Sequence, residues 1–159
     1  MTTAAVPNAT IAFLDAAVED GHGARRALVT PAGATSYDEL LALVERAGAG
    51  LRSRGVKTGD RVAILLPDGL AWAATFFGAL RAGAVAIPLN TRLAAPALAA
   101  LLADSGAAVL VAAPELSTLA REAAGSAGSL TVLDPDTLKV VKQFPTPMTP
   151  DGLFFGRVR

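Results

Sequence analysis

Histidine occurs once, as His22 in Gly21-His22-Gly23, and cysteine does not occur at all. A histidine acting as general base needs a nucleophile within hydrogen-bond reach and a carboxylate to orient it. Neither is identifiable from spacing, so His22 reads as a solvated loop residue. Metal chemistry has no better footing. Without a thiolate, a second imidazole or carboxylates at ligand spacing, no donor set for an ion can be assembled. The lack of cysteine also removes disulfides and thiol nucleophiles, and it fits a reducing, cytoplasmic compartment.

Phosphate chemistry is the next class to weigh. Gly48-Ala49-Gly50 has no third glycine at the right offset and falls inside an expected helix, so it reads as helix packing. No Gly-Lys-Ser/Thr loop is present. Gly125-Ser126-Ala127-Gly128-Ser129 carries no lysine and is not a nucleophile elbow, which leaves a flexible connector. The carboxylate pairs Asp38-Glu39 and Asp134-Asp136 fit a helix N-terminus and a turn. Arg52, Arg54, Lys57 and Arg61 form a modest basic cluster without interleaved aromatics, expected as a solvated face. Tyr37 and Trp72 read as packing residues. On this evidence the residues offer a scaffold with no visible catalytic group.

The scaffold is organised around residues 59–90. Arg61 to Leu66 is a short apolar run closed by Pro67-Asp68-Gly69; Leu70 to Arg81 has helix length; Val85 to Leu89 is a second apolar run after Gly83. Continuous apolar runs mark strands buried on both faces of a parallel sheet, so this is a βαβ unit. Upstream, Ile11, Leu14, Ala17 and Val18 sit at helical spacing, and Pro31-Ala32-Gly33 divides two strand-like pieces into a small hairpin. Ser36 and Glu39 form a capping box for a helix over 37–54, closed by Gly55 with Arg52 and Arg54 in its last turn. Downstream, helices over 96–104 and 116–124 alternate with strands over 109–111 and 130–133. The fold class is α/β, a βαβ-rich layered sheet. After Leu133 the prolines Pro135, Pro145, Pro147 and Pro150 interrupt any period. Residues 134–159 are therefore expected to be a Pro-rich tail, disordered or outside the pattern of 1–133. The terminal Phe154-Phe155 reads equally as a docking element or a sticky end.

Length and composition bound the rest. A chain of 159 residues suits one domain and buries about two-thirds of its surface. Hydrophobic residues make up 52% of it, high for a free-standing domain, so uncovered apolar surface and self-association are expected. Fourteen basic and fourteen acidic residues leave no global field to favour nucleic acid. The N-terminus has no basic region before an apolar core, which argues against a secretory signal. Arg81, Pro88 and two glycines break Leu70–Leu89, so no membrane span is expected.

Three motifs in order carry a resemblance. They are Thr35-Ser36-Tyr37-Asp38-Glu39-Leu40, then Gly55 to Ala63 (GVKTGDRVA), then Leu80 to Leu93 (LRAGAVAIPLNTRL). Together they resemble the N-terminal region of the adenylate-forming ligases: acyl- and aryl-CoA synthetases, adenylation domains of nonribosomal peptide synthetases, and luciferases. Leu65 to Gly69 and Asp104 to Ala107 look most like the benzoate-CoA ligase branch. The resemblance covers roughly residues 10–133 and implies a partial N-terminal subdomain of that fold.

The resemblance also implies a reaction. A carboxylate and ATP with Mg²⁺ give an acyl-adenylate and pyrophosphate, and the CoA thiol then displaces AMP. The family's phosphate loop with its lysine, its ribose-binding aspartate and its catalytic lysine have no counterpart in this sequence. No catalytic residue is therefore assigned, and neither ATP, Mg²⁺ nor CoA is expected to bind tightly to this part alone. One residue carries over: Arg92, the arginine of Pro-Leu-Asn-x-Arg-Leu, lies near the CoA phosphates in some relatives. The expectation is an N-terminal piece of an acid-CoA ligase, inactive alone, that meets its carboxylic acid only when completed. The competing expectations are a stand-alone α/β binding or interaction module and one piece of a split ligase completed by a separate chain.

Overall fold

The computed structural model describes residues 8–125 and two further strands, 130–133 and 140–144. A two-stranded hairpin, β1 (Arg26–Thr30) with β2 (Gly33–Ser36), precedes the long helix α1 (Tyr37–Ser53). Alternation follows: β3 (Arg61–Leu65), α2 (Leu70–Arg81), β4 (Val85–Pro88), α3 (Ala95–Ser105), β5 (Val109–Ala112), α4 (Ser117–Ala124), β6 (Leu130–Leu133) and β7 (Val140–Phe144). The five-stranded sheet has the order β4-β3-β5-β6-β7, parallel from β4 to β6 with β7 antiparallel at the edge.

The core alternates across β3 as a pleated strand must. Val62, Ile64 and Leu66 pack with Leu51 of α1 and Ala71 and Ala79 of α2 on one face. Ala63 and Leu65 pack with Leu98, Leu102 and Ala120 of α3 and α4 on the other. A third cluster, with Leu14, Leu40, Val44 and Ala74, fastens the N-terminal segment to α1 and α2. Both faces of β3 and β5 are thus covered, and both strands are unbroken apolar runs.

Three expectations need correction. Val85–Pro88 is not buried on both faces. β4 is an edge strand with Val85 49% exposed, because the sheet turns back through β3 to β5 and places nothing beyond it among the described residues. The N-terminal helix is wound in π-type turns, Ile11–Asp15 and Val18–His22, and the Ala16 N–H bonds to the Ile11 carbonyl. An i→i+5 ladder turns each residue less than an α-helix does. Leu14 is consequently buried while Ile11 is 52% exposed. Finally, the segment expected as an aperiodic tail contains β7, which pairs with β6 between residues 130 and 144. Its β-branched Val140-Val141 pair supplies the strand propensity that the flanking prolines obscured. The other expectations placed on 126–129 and 134–159 fall outside the described residues.

Candidate functional site

In an open α/β sheet, ligands bind beyond the carboxyl ends of the strands, where neighbouring strands send their chains in opposite directions. Here that point lies between β3 and β5. β3 exits to α2 and onward to β4, whereas β5 exits to α4 and onward to β6. A crevice of about 470 Å³ occupies the place, lined by Leu66 to Ala71, by Ala113 and Glu115, and by the hairpin turn Thr30 to Thr35. Gly69 stands at φ 155° as N-cap of α2, and no side chain caps that helix. A Cβ on Gly69 would meet nothing within 4 Å.

The charges around this crevice decide what it can hold. Among the described residues Asp68 and Glu115 line it, and no Lys, Arg or His does. Two carboxylates without a cation repel a triphosphate, whose binding calls for basic side chains or metal ions. Among the described residues no group of three His, Cys, Asp or Glu side chains could hold a metal ion. The described lining of this crevice does not fit a triphosphate or its Mg²⁺. No sequence motif marks this crevice, since its lining comes from three separated segments and Glu115 belongs to no motif. Only the ends of the apolar strand runs at Leu66 and Ala113 mark it.

Arg92 lies in the turn after β4, outside the crevice lining. Its backbone N–H donates to Asn90 Oδ1 at 2.9 Å. The side chain is exposed, and its guanidinium takes no partner among the described residues. His22 sits half-buried in the last π-wound turn, with no side-chain partner among the described residues. Tyr37 and Trp72 pack on the α1–α2 layer, and Trp72 stacks on Phe76 with centroids 5.0 Å apart.

Residues inside the three motifs prove to be architectural. Ser36 and Glu39 close the capping box at the start of α1. The Lys57 N–H donates to Asp60 Oδ2 at 2.9 Å, and the Gly59 N–H donates to the Gly83 carbonyl at 2.8 Å. Gly83 has φ 79°, and a Cβ there would lie 2.8 Å from Thr58 Oγ1. The loops entering β3 and β4 are thereby locked together, which sets the parallel register. The basic cluster is only partly a solvated face. Arg52 donates to the Arg81 carbonyl at 3.2 Å, and Arg54 donates to the Gly50 carbonyl at 2.8 Å. Burial lowers the Arg54 pKa from its ordinary value.

The AMP-binding enzyme family model matches residues 14–150. The chain belongs to the AMP-binding enzyme family. Feruloyl-CoA synthase of Amycolatopsis sp is 50% identical over 93 residues, covering 58% of this chain and 19% of the relative. The 4-hydroxybenzoate–CoA/benzoate–CoA ligase of Rhodopseudomonas palustris is 39% identical over 117 residues, covering 74% of this chain and 22% of the relative. Among solved structures, a benzoate CoA ligase from Burkholderia xenovorans LB400 superposes with TM-score 0.74 at 25% identity, covering 89% of this chain and 31% of that one. The chain thus spans about a fifth of the length of the curated relatives it matches. As a member of the AMP-binding enzyme family it supplies the N-terminal α/β layer of the adenylate-forming fold. No helix among the described residues is long and apolar enough to cross a membrane.

Proposed function

We propose that this chain is the frame-forming opening segment of an AMP-forming acid-CoA ligase, and that by itself it does not adenylate. The reaction of the completed enzyme would join a carboxylate to AMP with loss of pyrophosphate, then transfer the acyl group to the CoA thiol. Aromatic acids are the first class to try, since feruloyl and benzoate ligases stand among the relatives. Arg92 is our candidate for contact with the CoA phosphates: it is exposed, without a side-chain partner among the described residues, and sits in the turn after β4. A cytoplasmic location belongs to the same reading, because the substrates ATP and CoA are cytoplasmic.

The observation that carries the reading is the pairing of a family frame with a cation-free crevice. The match extends over most of the chain, while the strand-end crevice presents Asp68 and Glu115 and, among the described residues, no basic group. Charge stabilisation at the transferring phosphorus is the main demand of adenylation. Hydroxamate trapping and pyrophosphate exchange with the purified chain, ATP, Mg²⁺ and a panel of aryl and fatty acids test this. No turnover above a no-protein control is expected. Reproducible AMP release dependent on the acid would overturn it.

A further inference from the structure

Asp68-Gly69 ends the loop from β3 to α2 and lines the crevice. Asp68 is exposed, and its carboxylate takes no hydrogen bond or ion pair among the described residues. The Gly69 N–H has no partner among them either. Its carbonyl does: it accepts the Ala73 N–H at 3.0 Å and so begins the ladder of α2. Glycine carries no Cβ, and one built on Gly69 would meet nothing within 4 Å, which leaves open space beside the peptide nitrogen. An unpaired acid and an unpaired amide nitrogen therefore stand next to each other, one bond rotation from contact.

We propose that Asp68-Gly69 is a modification site, at which Asp68 converts to isoaspartate through a cyclic imide and thereby loosens the first turn of α2. The proposal stands apart from the ligase reading. In the first step the Gly69 nitrogen attacks Asp68 Cγ. A C–N bond forms, a Cγ–O bond breaks, and the carboxyl oxygen leaves as water with the amide proton. Water then adds to one of the two imide carbonyls. Opening on the Cγ side restores aspartate. Opening on the main-chain side leaves a free α-carboxylate and routes the chain through Cβ, with no change of mass and no other reactant. The extra main-chain atom displaces the Gly69 carbonyl from the Ala73 N–H, and no side chain caps that helix end in its place. Two other Asp-Gly pairs occur, Asp20-Gly21 and Asp151-Gly152, the latter outside the described residues. Asp20-Gly21 lies within the π-wound turn Val18–His22. Ring closure must rotate the peptide plane after the aspartate, and a hydrogen-bonded helix resists that rotation where a loop permits it. The fold thus selects Asp68 over Asp20.

The test incubates the full chain at about pH 6 and about 37 °C, folded and in urea, and digests samples with trypsin against a zero-time control. Cleavage after arginine places Asp68 in the peptide 62–81 and Asp20 in 1–25. Electron-transfer fragmentation tells isoaspartate from aspartate in each, and methyl transfer from S-adenosylmethionine by an isoaspartyl methyltransferase counts the product. In the folded chain Asp68 should isomerise at least fivefold faster than Asp20; in urea the two rates should agree within about twofold. Asp68→Glu keeps a carboxylate but cannot close a five-membered ring, so it should abolish the signal from 62–81 and leave the melting temperature unchanged. In the isomerised chain the Ala73 amide should exchange at least tenfold faster. The Leu98 amide, bonded to the Ala94 carbonyl at 3.1 Å at the start of α3, should not change. A folded-state rate at Asp68 no higher than at Asp20, or a gap that survives urea, overturns the selection by the fold. Unaltered exchange at Ala73 in the isomerised chain overturns the loosening of α2.

Discussion

Gly78 of α2 and Gly48 of α1 face one another where the two helices cross. A Cβ on Gly78 would lie 3.0 Å from the Gly48 nitrogen and 2.7 Å from the Ala47 Cβ. A Cβ on Gly48 would lie 3.0 Å from the Gly78 carbonyl oxygen. The contact explains glycines in helix interiors, where they cost about 1 kcal/mol relative to alanine. Gly78→Ala is therefore expected to destabilise by about 1–3 kcal/mol, the usual cost of overpacking, despite its better helix propensity. Urea unfolding followed by circular dichroism measures it. A stabilised Gly78→Ala protein would contradict the close crossing.

The start of α1 carries a pH dependence. The Ser36 N–H and hydroxyl both donate to Glu39 Oε2, at 2.8 and 3.0 Å, and the Glu39 N–H donates back to Ser36 Oγ at 3.2 Å. The backbone bond from Ser36, followed by the side-chain bond, holds the Glu39 carboxyl below its ordinary 4.5. A carboxylate with a lowered folded pKa stabilises above the unfolded value and loses that contribution as pH falls through the folded one. The capping contribution should thus be complete above about pH 5 and vanish in the acid range below 4.5. Glu39→Gln should flatten that part of the stability–pH curve, and Ser36→Ala should cost about 0.5–2 kcal/mol at neutral pH. Unfolding curves across pH 3–7 check both.

How legible was this in the sequence? α1 was, because a capping box and a C-terminal glycine mark its ends in local chemistry. So were β3 and β5, whose unbroken apolar runs require cover on two faces. The edge position of β4 was not, since Val85 to Leu89 is as apolar as a central strand and only Pro88 hints otherwise. The π winding around Leu14 leaves the apolar spacing of an α-helix unchanged on paper. The crevice was invisible for another reason: Thr30–Thr35, Leu66–Ala71 and Glu115 meet only through the order of the strands. The motifs that gave the family away turn out to hold the frame, as Thr58, Gly59 and Gly83 do.

A side-chain clamp ties the N-terminal segment to α2. Arg81 donates to both Asp15 oxygens, at 2.8 and 2.9 Å, and to Glu45 at 3.3 Å, and these bonds raise its pKa. Asn8 and Thr10 add side-chain bonds to the Leu80 and Phe77 carbonyls, at 2.6 and 3.0 Å, occupying the end of the helix. The two-pronged, partly buried pair should show a coupling of about 1 kcal/mol in an Asp15→Ala/Arg81→Ala double-mutant cycle. The Arg81–Glu45 pair, with Glu45 62% exposed, should couple less. Equal couplings would argue that Asp15 is not the principal partner.

The CoA contact proposed for Arg92 can be tested apart from the frame. Exposed and without a side-chain partner among the described residues, Arg92 should be replaceable by alanine within about 0.5 kcal/mol of the parent stability. In a ligase completed by the remainder of a relative, Arg92→Ala should raise the KM for CoA at least threefold and leave acid-dependent pyrophosphate exchange unchanged. Lysine, which keeps the charge, should recover part of that loss. An unchanged KM for CoA would remove Arg92 from the CoA site.

Thr75 sits on α2 in step with Ala71 and Ala79, the residues that pack on the sheet, and is 1% exposed. Its hydroxyl has no hydrogen-bond partner among the described residues. A buried hydroxyl without a partner retains its desolvation cost, about 1–3 kcal/mol, with nothing to offset it. Valine has nearly the same shape and the same branching at Cβ, so the exchange leaves rotamer and helix terms almost unchanged. Thr75→Val is therefore expected to stabilise the chain by about 1 kcal/mol, seen as a higher urea midpoint at constant slope. Thr75→Ala, which opens a void instead, should not. If valine destabilises as much as alanine does, the hydroxyl has a partner in solution and the packing of α2 on β3 must differ there.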